Sequence, residues 1–313
     1  MKKTTWIISE HAPGMLSQAT GLAEALGLEY QHQPINLTMP WKHLPPSWVP
    51  IKPWTITPPN RVDEEPSLII SCGRKSVIPA LVLKRIVGSC QNIHILNPYL
   101  QTNLFDYVIA PKHDHIPGDN VIHVLGSVHN LNSQKINQHK HHLQPQRKHQ
   151  SRVITILLGG PNRCYQMSIA IIKALLDKIA AVFDENDYQQ MIIPSRRTPQ
   201  CIIDYLHQNK RDSQFIGSQS SRIDYLSALA LADKIVVTSD SICMTSEAAA
   251  TGKPVFIAGL PITKLNKRFE EFHDTMAARG ITRYLKHGDH DWHYQPLNEI
   301  SQVVTTLKKG LTL

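Results

Sequence analysis

Residues 234–258 read K-I-V-V-T-S-D-S-I-C-M-T-S-E-A-A-A-T-G-K-P-V-F-I-A. The stretch opens on a short β-branched run, Ile235-Val236-Val237, and passes through a polar turn, Thr238-Ser239-Asp240-Ser241. A small-residue helix is expected over residues 244–251, stopped by Gly252. Pro254 excludes its continuation, and Val255-Phe256-Ile257 reads as a second buried strand. A strand–helix–strand unit of this kind belongs in a parallel sheet. Its turn lies at the carboxyl end of one strand and the amino end of a helix, where backbone N–H groups and the helix dipole favour an anion. Glu247 stands in the first turn of that helix. It reads either as a complement to the dipole or as a carboxylate that meets the hydroxyls of a ribose beside a bound phosphate.

Working upstream, the same pattern repeats. A strand over residues 153–158 runs into Gly159-Gly160-Pro161-Asn162, and a helix is expected over residues 168–183. A strand at 190–193 runs into Ser195-Arg196-Arg197-Thr198-Pro199, followed by a helix at 201–208, a strand at 214–216 and a helix at 224–232. The turns at the strands' carboxyl ends thus carry glycine, asparagine, serine or arginine. Together they supply what a diphosphate needs: amides for its oxygens, hydroxyls for hydrogen bonds and arginine forks for its charge. Downstream, Phe269, Phe272 and Met276 form one face of a helix over 265–279, which Gly280 ends. A last helix is expected over 297–307.

The first half shows strands at 5–9, 67–71, 93–96, 107–110 and 121–125, with helices at 15–27 and 77–87. Two turns bear glycine. One carries Gly14, and the other is Cys72-Gly73-Arg74-Lys75-Ser76, where two cations at a helix start suit an anion. His113-Asp114 reads as a surface loop. Residues 38–66 carry eight prolines with Trp41, Trp48 and Trp54 interleaved. That density forbids long helices and central strands. The tryptophans are read as anchors of this loop on its domain, with a peptide or membrane contact as the other reading. Residues 130–152 are polar, lack acids and hold four histidines, which reads as a solvated linker. His139, His141 and His142 lack cysteine or carboxylate partners, so no metal site is expected.

Composition bounds the classes. The 313 residues suit two domains, and 42% hydrophobic with 19% charged residues reads as globular. No apolar run approaches the ~20 residues needed to span a bilayer. The opening M-K-K-T-T-W-I-I-S-E-H reads as a first strand and not as a secretory leader. Five scattered cysteines without a C-x-x-C pair argue against a disulfide framework or zinc site and for a cytoplasmic location. A net charge of +8 suits anionic partners, yet no nucleic-acid-binding motif is present and no nucleic acid is expected.

The motif T-S-E-A-A-A-T-G-K-P-V at 245–255 resembles the nucleotide-sugar signature of glycosyltransferases with two facing Rossmann-like domains, the GT-B architecture. S-C-G-R-K-S (71–76), F-D-Y-V-I-A-P-K-H-D (105–114), L-L-G-G-P-N (157–162), S-R-R-T-P (195–199) and V-V-T-S-D-S-I-C-M-T-S-E-A-A-A-T-G-K-P (236–254) follow in order over nearly the whole chain. As a set they resemble the mitochondrial-fission, or "elongated mitochondria", family. The resemblance implies an α/β fold of two Rossmann-like domains facing across a cleft. An acceptor-side domain would span 1–135, a linker 136–152 and a nucleotide-binding domain 153–313, with the last helix packing back on the first domain. It implies a nucleoside-diphosphate sugar, of uridine type, as ligand, and no obligatory cofactor or metal.

On that reading Gly159, Gly160 and Asn162 lie near phosphate and Arg196 and Arg197 offset its charge. Ser239, Asp240, Ser241, Thr245 and Ser246 line the helix start, and Glu247 holds the ribose. Gly14, Gly73, Arg74 and Lys75 form an acceptor or anion site. Many glycosyltransferases have glycine where Ser241 falls. The family's Asp-Gly-Lys-Pro-Gly-His loop becomes Glu10-His11-Ala12-Pro13-Gly14-Met15 here, with Gln18 retained. Glu10, His11 and Asp240 are the candidates for a base. The implied reaction is glycosyl transfer to an unidentified acceptor; the alternatives are a non-enzymatic adaptor and a sugar-nucleotide epimerase. The expected location is the cytoplasm, with a peripheral position at the inner membrane as the other reading.

Overall fold

The computed structural model describes residues 4–9, 13–59, 65–147, 151–219, 221–286 and 291–311. The chain forms two compact units, Met1–Asn130 with Asn298–Leu313, and Leu131–Leu297. Each is built on its own six-stranded sheet in which every pair is parallel.

The first unit runs β1 (Thr4–Ser9), α1 (Pro13–Leu26), β2 (Tyr30–His32), β3 (Pro66–Cys72), α2 (Val77–Val87), β4 (Gln91–Ile95), β5 (Tyr107–Pro111) and β6 (Val121–Val124). The sheet order is β2-β1-β3-β4-β5-β6, so the winding reverses between β1 and β3. Both faces are covered. Ile7, Leu68, Ile70 and Ile93 meet Ala19 and Leu22 of α1, while Trp6, Ile8 and Ile69 meet Ile78 and Val82 of α2. This is why these strands read as unbroken apolar runs.

The second unit runs α3 (Ser133–Asn137), α4 (Lys140–Leu143), β7 (Arg152–Leu158), α5 (Ile169–Val182), β8 (Tyr188–Pro194), α6 (Gln200–Gln208), β9 (Gln214–Ile216), α7 (Arg222–Leu231), β10 (Lys234–Thr238), α8 (Ile242–Ala249), β11 (Val255–Ala258), α9 (Lys267–Ala278) and β12 (Thr282–Tyr284). Its sheet order is β12-β11-β10-β7-β8-β9. Renumbered within the unit this is the 3-2-1-4-5-6 order of dinucleotide-binding folds, with its switch point between β7 and β10. The expected stripe of α9 is present: Phe272 and Met276 are buried and Phe269 packs on the core edge. The chain then returns to the first unit as α10 (Glu299–Leu307). Val303 and Leu307 enter that unit's core, and Glu299 Oε2 accepts from the Leu125 amide at 2.6 Å.

Three expectations change. The segment read as a solvated linker is not one. Residues 131–146 belong to the second unit, where Ile136 and Leu143 are buried and the Leu143 amide donates to Ser227 Oγ at 2.9 Å. Those apolar residues, seven apart, form a seam against α7 that the surrounding polar composition conceals. His142 bonds Asp224 at 2.9 Å. His113, read as part of a surface loop, is buried. The tryptophans of residues 38–66 do not all anchor that loop: Trp41 is half-buried, but Trp48 and Trp54 are 72% and 59% exposed.

Candidate nucleotide site

The turns after β7, β8 and β10 converge at the switch point of the second unit. Asp240 ties them together. Its Oδ2 accepts from the Gly160 amide at 2.9 Å and from Arg197 Nη2 at 2.6 Å. Its Oδ1 accepts from Thr238 Oγ1 at 2.7 Å, and Thr238 Oγ1 accepts from the Gly159 amide at 2.8 Å. Ser195 Oγ and Thr198 Oγ1 both donate to the Gly159 carbonyl, at 2.9 and 2.6 Å. Arg197 Nη1 adds a bond to the Gly160 carbonyl at 3.2 Å. Three segments far apart in sequence thus share one hydrogen-bond network.

The two glycines are required by this closeness. A Cβ on Gly159 would stand 2.1 Å from Asp240 Oδ2, and one on Gly160 would stand 2.2 Å from the Arg197 carbonyl. Neither position has room for a methyl group.

The network redistributes the expected roles. The Asp240 side chain has no solvent exposure and both its oxygens are committed. It is a structural clip, and it is not arranged to take a proton from an acceptor. Arg197 is half of that clip. Arg196, its neighbour, is exposed and makes no hydrogen bond or ion pair with a described residue. Asn162 Oδ1 accepts from the amides of Cys164 and Tyr165 at 2.7 and 3.0 Å, which shapes the turn after β7. Ser239 Oγ accepts from the Leu260 amide at 3.0 Å, and its carbonyl accepts from His273 Nε2 at 2.8 Å. That bond requires the proton on Nε2, and burial lowers the pKa of His273, so the ring is a neutral brace.

α8 begins at Ile242, two residues earlier than expected. Ser241 caps it by accepting from the Met244 amide at 3.3 Å. A glycine here could not make this bond. Thr245 and Ser246 do not present hydroxyls to a ligand. They are buried and donate back to the carbonyls of Ser241 and Ile242, at 2.9 and 2.8 Å.

Glu247 meets a partner the sequence did not announce. Arg222, the first residue of α7, grips it with both terminal nitrogens, Nη2 to Oε1 at 3.1 Å and Nη1 to Oε2 at 3.3 Å. Burial lowers the guanidinium pKa, and the Glu247 carboxylate together with Tyr225 more than restores it, for a net rise. Its plane also lies 4.9 Å from the Tyr225 ring centroid. Burial, reinforced by Glu247, pushes the Tyr225 phenol well above its usual range, so it stays protonated. No local signal links Arg222 to an acid 25 residues later; the preceding Ser221, capping α7 at the Asp224 amide, shows only that a helix begins there.

In the first unit, Gly14 lies exposed in the first turn of α1. Gly73 has a φ of 88° and turns the chain from β3 into α2, leaving Arg74 and Lys75 exposed. Glu10 and His11 lie outside the described residues. A cavity of about 310 Å³ lies at the opposite edge of the second sheet, lined by Arg152, Lys234 and Pro254 among others. It is remote from the switch point, and the Lys234 ammonium there is ion-paired with Asp291.

The chain is similar to curated and solved proteins over most of its length. Uncharacterized protein RP120 of Rickettsia prowazekii (strain Madrid E) is 27% identical over 293 residues, covering 79% of this chain and 80% of the relative. Mitochondrial fission protein ELM1 of Arabidopsis thaliana is 23% identical over 276 residues, covering 78% of this chain and 64% of the plant protein. Among solved structures, UDP-GlcNAc 2-epimerase from Neisseria meningitidis bound to UDP-GlcNAc superposes with a TM-score of 0.55 at 15% identity, over 98% of this chain and 100% of that one. The Methanocaldococcus jannaschii UDP-GlcNAc 2-epimerase gives 0.53 at 12% identity, over 98% and 100%. At these identities the likeness carries the GT-B-like fold and no activity. The family description "Mitochondrial fission ELM1" matches residues 13–311, and the chain belongs to that family.

Proposed function

We propose that the second unit binds a nucleoside-diphosphate sugar at its switch point, with uridine as the favoured base, and that the chain transfers the glycosyl group to an acceptor. The convergence of the three turns carries this reading. Gly159 and Gly160 keep a bare backbone at the carboxyl edge, α8 directs its amino end there, and Arg196 brings a cation without a partner among the described residues. In transfer, the bond from the sugar's C1 to the diphosphate oxygen breaks as an acceptor hydroxyl oxygen bonds C1, and the hydroxyl proton passes to water. Charge then grows on the leaving diphosphate, where the dipole at the amino end of α8 and Arg196 offset it. Glu247 takes the ribose. Arg222 grips both of its oxygens and so fixes the plane of the carboxylate beside the amino end of α8, where a vicinal diol would meet it.

One observation favours a second reading, a non-enzymatic adaptor. Arg197 and Glu247 are already ion-paired within the unit, as residues retained for stability alone would be. A thermal-shift screen separates the two. Uridine diphosphate and its sugars at a hundredfold excess over Kd raise the unfolding free energy by about 2.7 kcal/mol. Absence of any shift with nucleoside diphosphates at millimolar concentration supports the adaptor.

A further inference from the structure

Residues 30–59 contain no aspartate or glutamate, and neither does α2. The two segments lie together in the first unit, where Arg85 Nη1 donates to the Ile51 carbonyl at 2.8 Å. Residues 30–59 form an ordered strap. Leu37 and Ile56 form an antiparallel bridge at its base, flanked by bonds from the Thr38 amide to the Thr55 carbonyl (2.9 Å) and the Thr57 amide to the Asn36 carbonyl (2.8 Å). Ile35, Val49 and Ile56 are buried beneath it.

A strap anchored this well has the means to bury its large side chains, yet Met39, Trp48 and Trp54 are 63%, 72% and 59% exposed. Trp54 is held outward: Trp41, seated at the core edge, packs against it with ring centroids 5.3 Å apart. Exposed cations accompany these residues, Lys42 and Lys52 on the strap and Arg85 on α2. Ile86, next to Arg85, is 56% exposed.

We infer that the strap and the adjoining end of α2 dock on an anionic lipid surface. Charge complementarity selects the partner, because every ionised side chain of the two segments is cationic and, among the described residues, only Lys84 is paired with an acid, Asp106. The apolar complement selects a bilayer over a nucleic acid, because Met39 and Ile86 offer no ring to stack on a base. Indoles suit the headgroup layer, where the ring enters the acyl boundary and the N–H reaches phosphate or ester oxygens. No helix of the described residues is long and apolar enough to cross a membrane, so this contact is peripheral. It is independent of the nucleotide reading.

The test is co-sedimentation of the full chain with phosphatidylcholine vesicles, with and without phosphatidylglycerol, while tryptophan fluorescence is followed. Trp6 and Trp292 are buried and Trp41 half-buried, so a blue shift reports on Trp48 and Trp54. Binding should require phosphatidylglycerol, weaken with salt and shift the emission to the blue. The double variant Trp48→Ser/Trp54→Ser should bind roughly tenfold or more weakly. Lys42→Gln/Lys52→Gln should lose the preference for anionic vesicles, roughly tenfold. All four side chains are exposed, so both variants should melt with the wild type. Failure of the wild type to bind either vesicle, or undiminished binding by the tryptophan variant, overturns the inference; capture of a protein without vesicle binding does so as well.

Discussion

At the switch point of the second unit, Asp240 gathers Thr238, Gly160 and Arg197 into a network with no solvent on the carboxylate. At the switch point of the first, between β1 and β3, Gly73 turns the chain and Arg74 and Lys75 stand in solvent. The starting material is the same in both units: an apolar parallel strand, a turn with glycine, and a helix opening beside cations. The outcome differs because one turn has an acid and the other has none. An acid within the turn ties a flexible cation into a fixed, preorganised backbone surface. Arg74, with no acid partner among the described residues, keeps its full charge for an anion and holds no fixed geometry for it.

The largest expected contrast lies in the glycines. Gly160→Ala should destabilise the second unit by about 3 kcal/mol or more in urea unfolding, because the added Cβ meets the Arg197 carbonyl at 2.2 Å. Gly14→Ala in the first unit meets nothing within 4 Å, and in a helix it should stabilise by about 0.5–1 kcal/mol. Equal effects at the two positions would remove the distinction between a packed turn and an open one.

Next in size is an acid sensitivity larger in the first unit, at His94, than in the second, where burial lowers the pKa of His273 as well. His94 is fully buried in β4, with Nδ1 on Ser71 Oγ at 2.8 Å and no hydrogen-bond partner for Nε2 among the described residues. Burial lowers its pKa from 6.5 to about 3. The folded pKa lies below the unfolded one, so between these values the unfolded chain binds the extra proton, and stability falls with falling pH. From pH 7 to 5 the loss should be about 2 kcal/mol. His94→Phe should flatten this slope, since Ser71 keeps its bond to the Ile93 carbonyl at 3.2 Å. A variant with the wild-type slope would assign the acid sensitivity elsewhere.

Both sheets were legible in the sequence because every long strand is an apolar run closed by a turn residue, as in Ile235-Val236-Val237 before Thr238. The short edge strands β2 and β12 were not. Tyr30–His32 is exposed throughout and carries no apolar run. The convergence of Gly159, Arg197 and Asp240 was legible as three turns on one sheet edge. What Asp240 does there was not, since a buried clip and a catalytic carboxylate are the same letter until hydrogen-bond partners are known. Arg222 was hidden for a related reason: its pairing with Glu247 is tertiary and leaves no periodic trace.

Two smaller effects sharpen the comparison further. Asp240→Asn should destabilise by about 1–2 kcal/mol, read by chemical denaturation, because the charge-assisted bonds from Arg197 and Gly160 weaken while the freed guanidinium, already 44% exposed, stays solvated. Arg74→Ala should change stability by less than about 0.5 kcal/mol, since the side chain is exposed and has no partner among the described residues. A larger loss there would show that the first switch point is also internally braced.

The central claim, that the fixed surface of the second unit serves a nucleoside diphosphate with Glu247 on its ribose, is tested most directly by calorimetric titration of uridine diphosphate into wild type and Glu247→Ala. The substitution leaves the fold intact, because Arg222, 47% exposed, remains hydrated and stacked beside Tyr225. Loss of one charge-assisted partner, about 1.5–3 kcal/mol, should weaken binding roughly ten- to a hundred-fold. Equal affinity of the two proteins, or no binding by wild type at millimolar ligand, would contradict it.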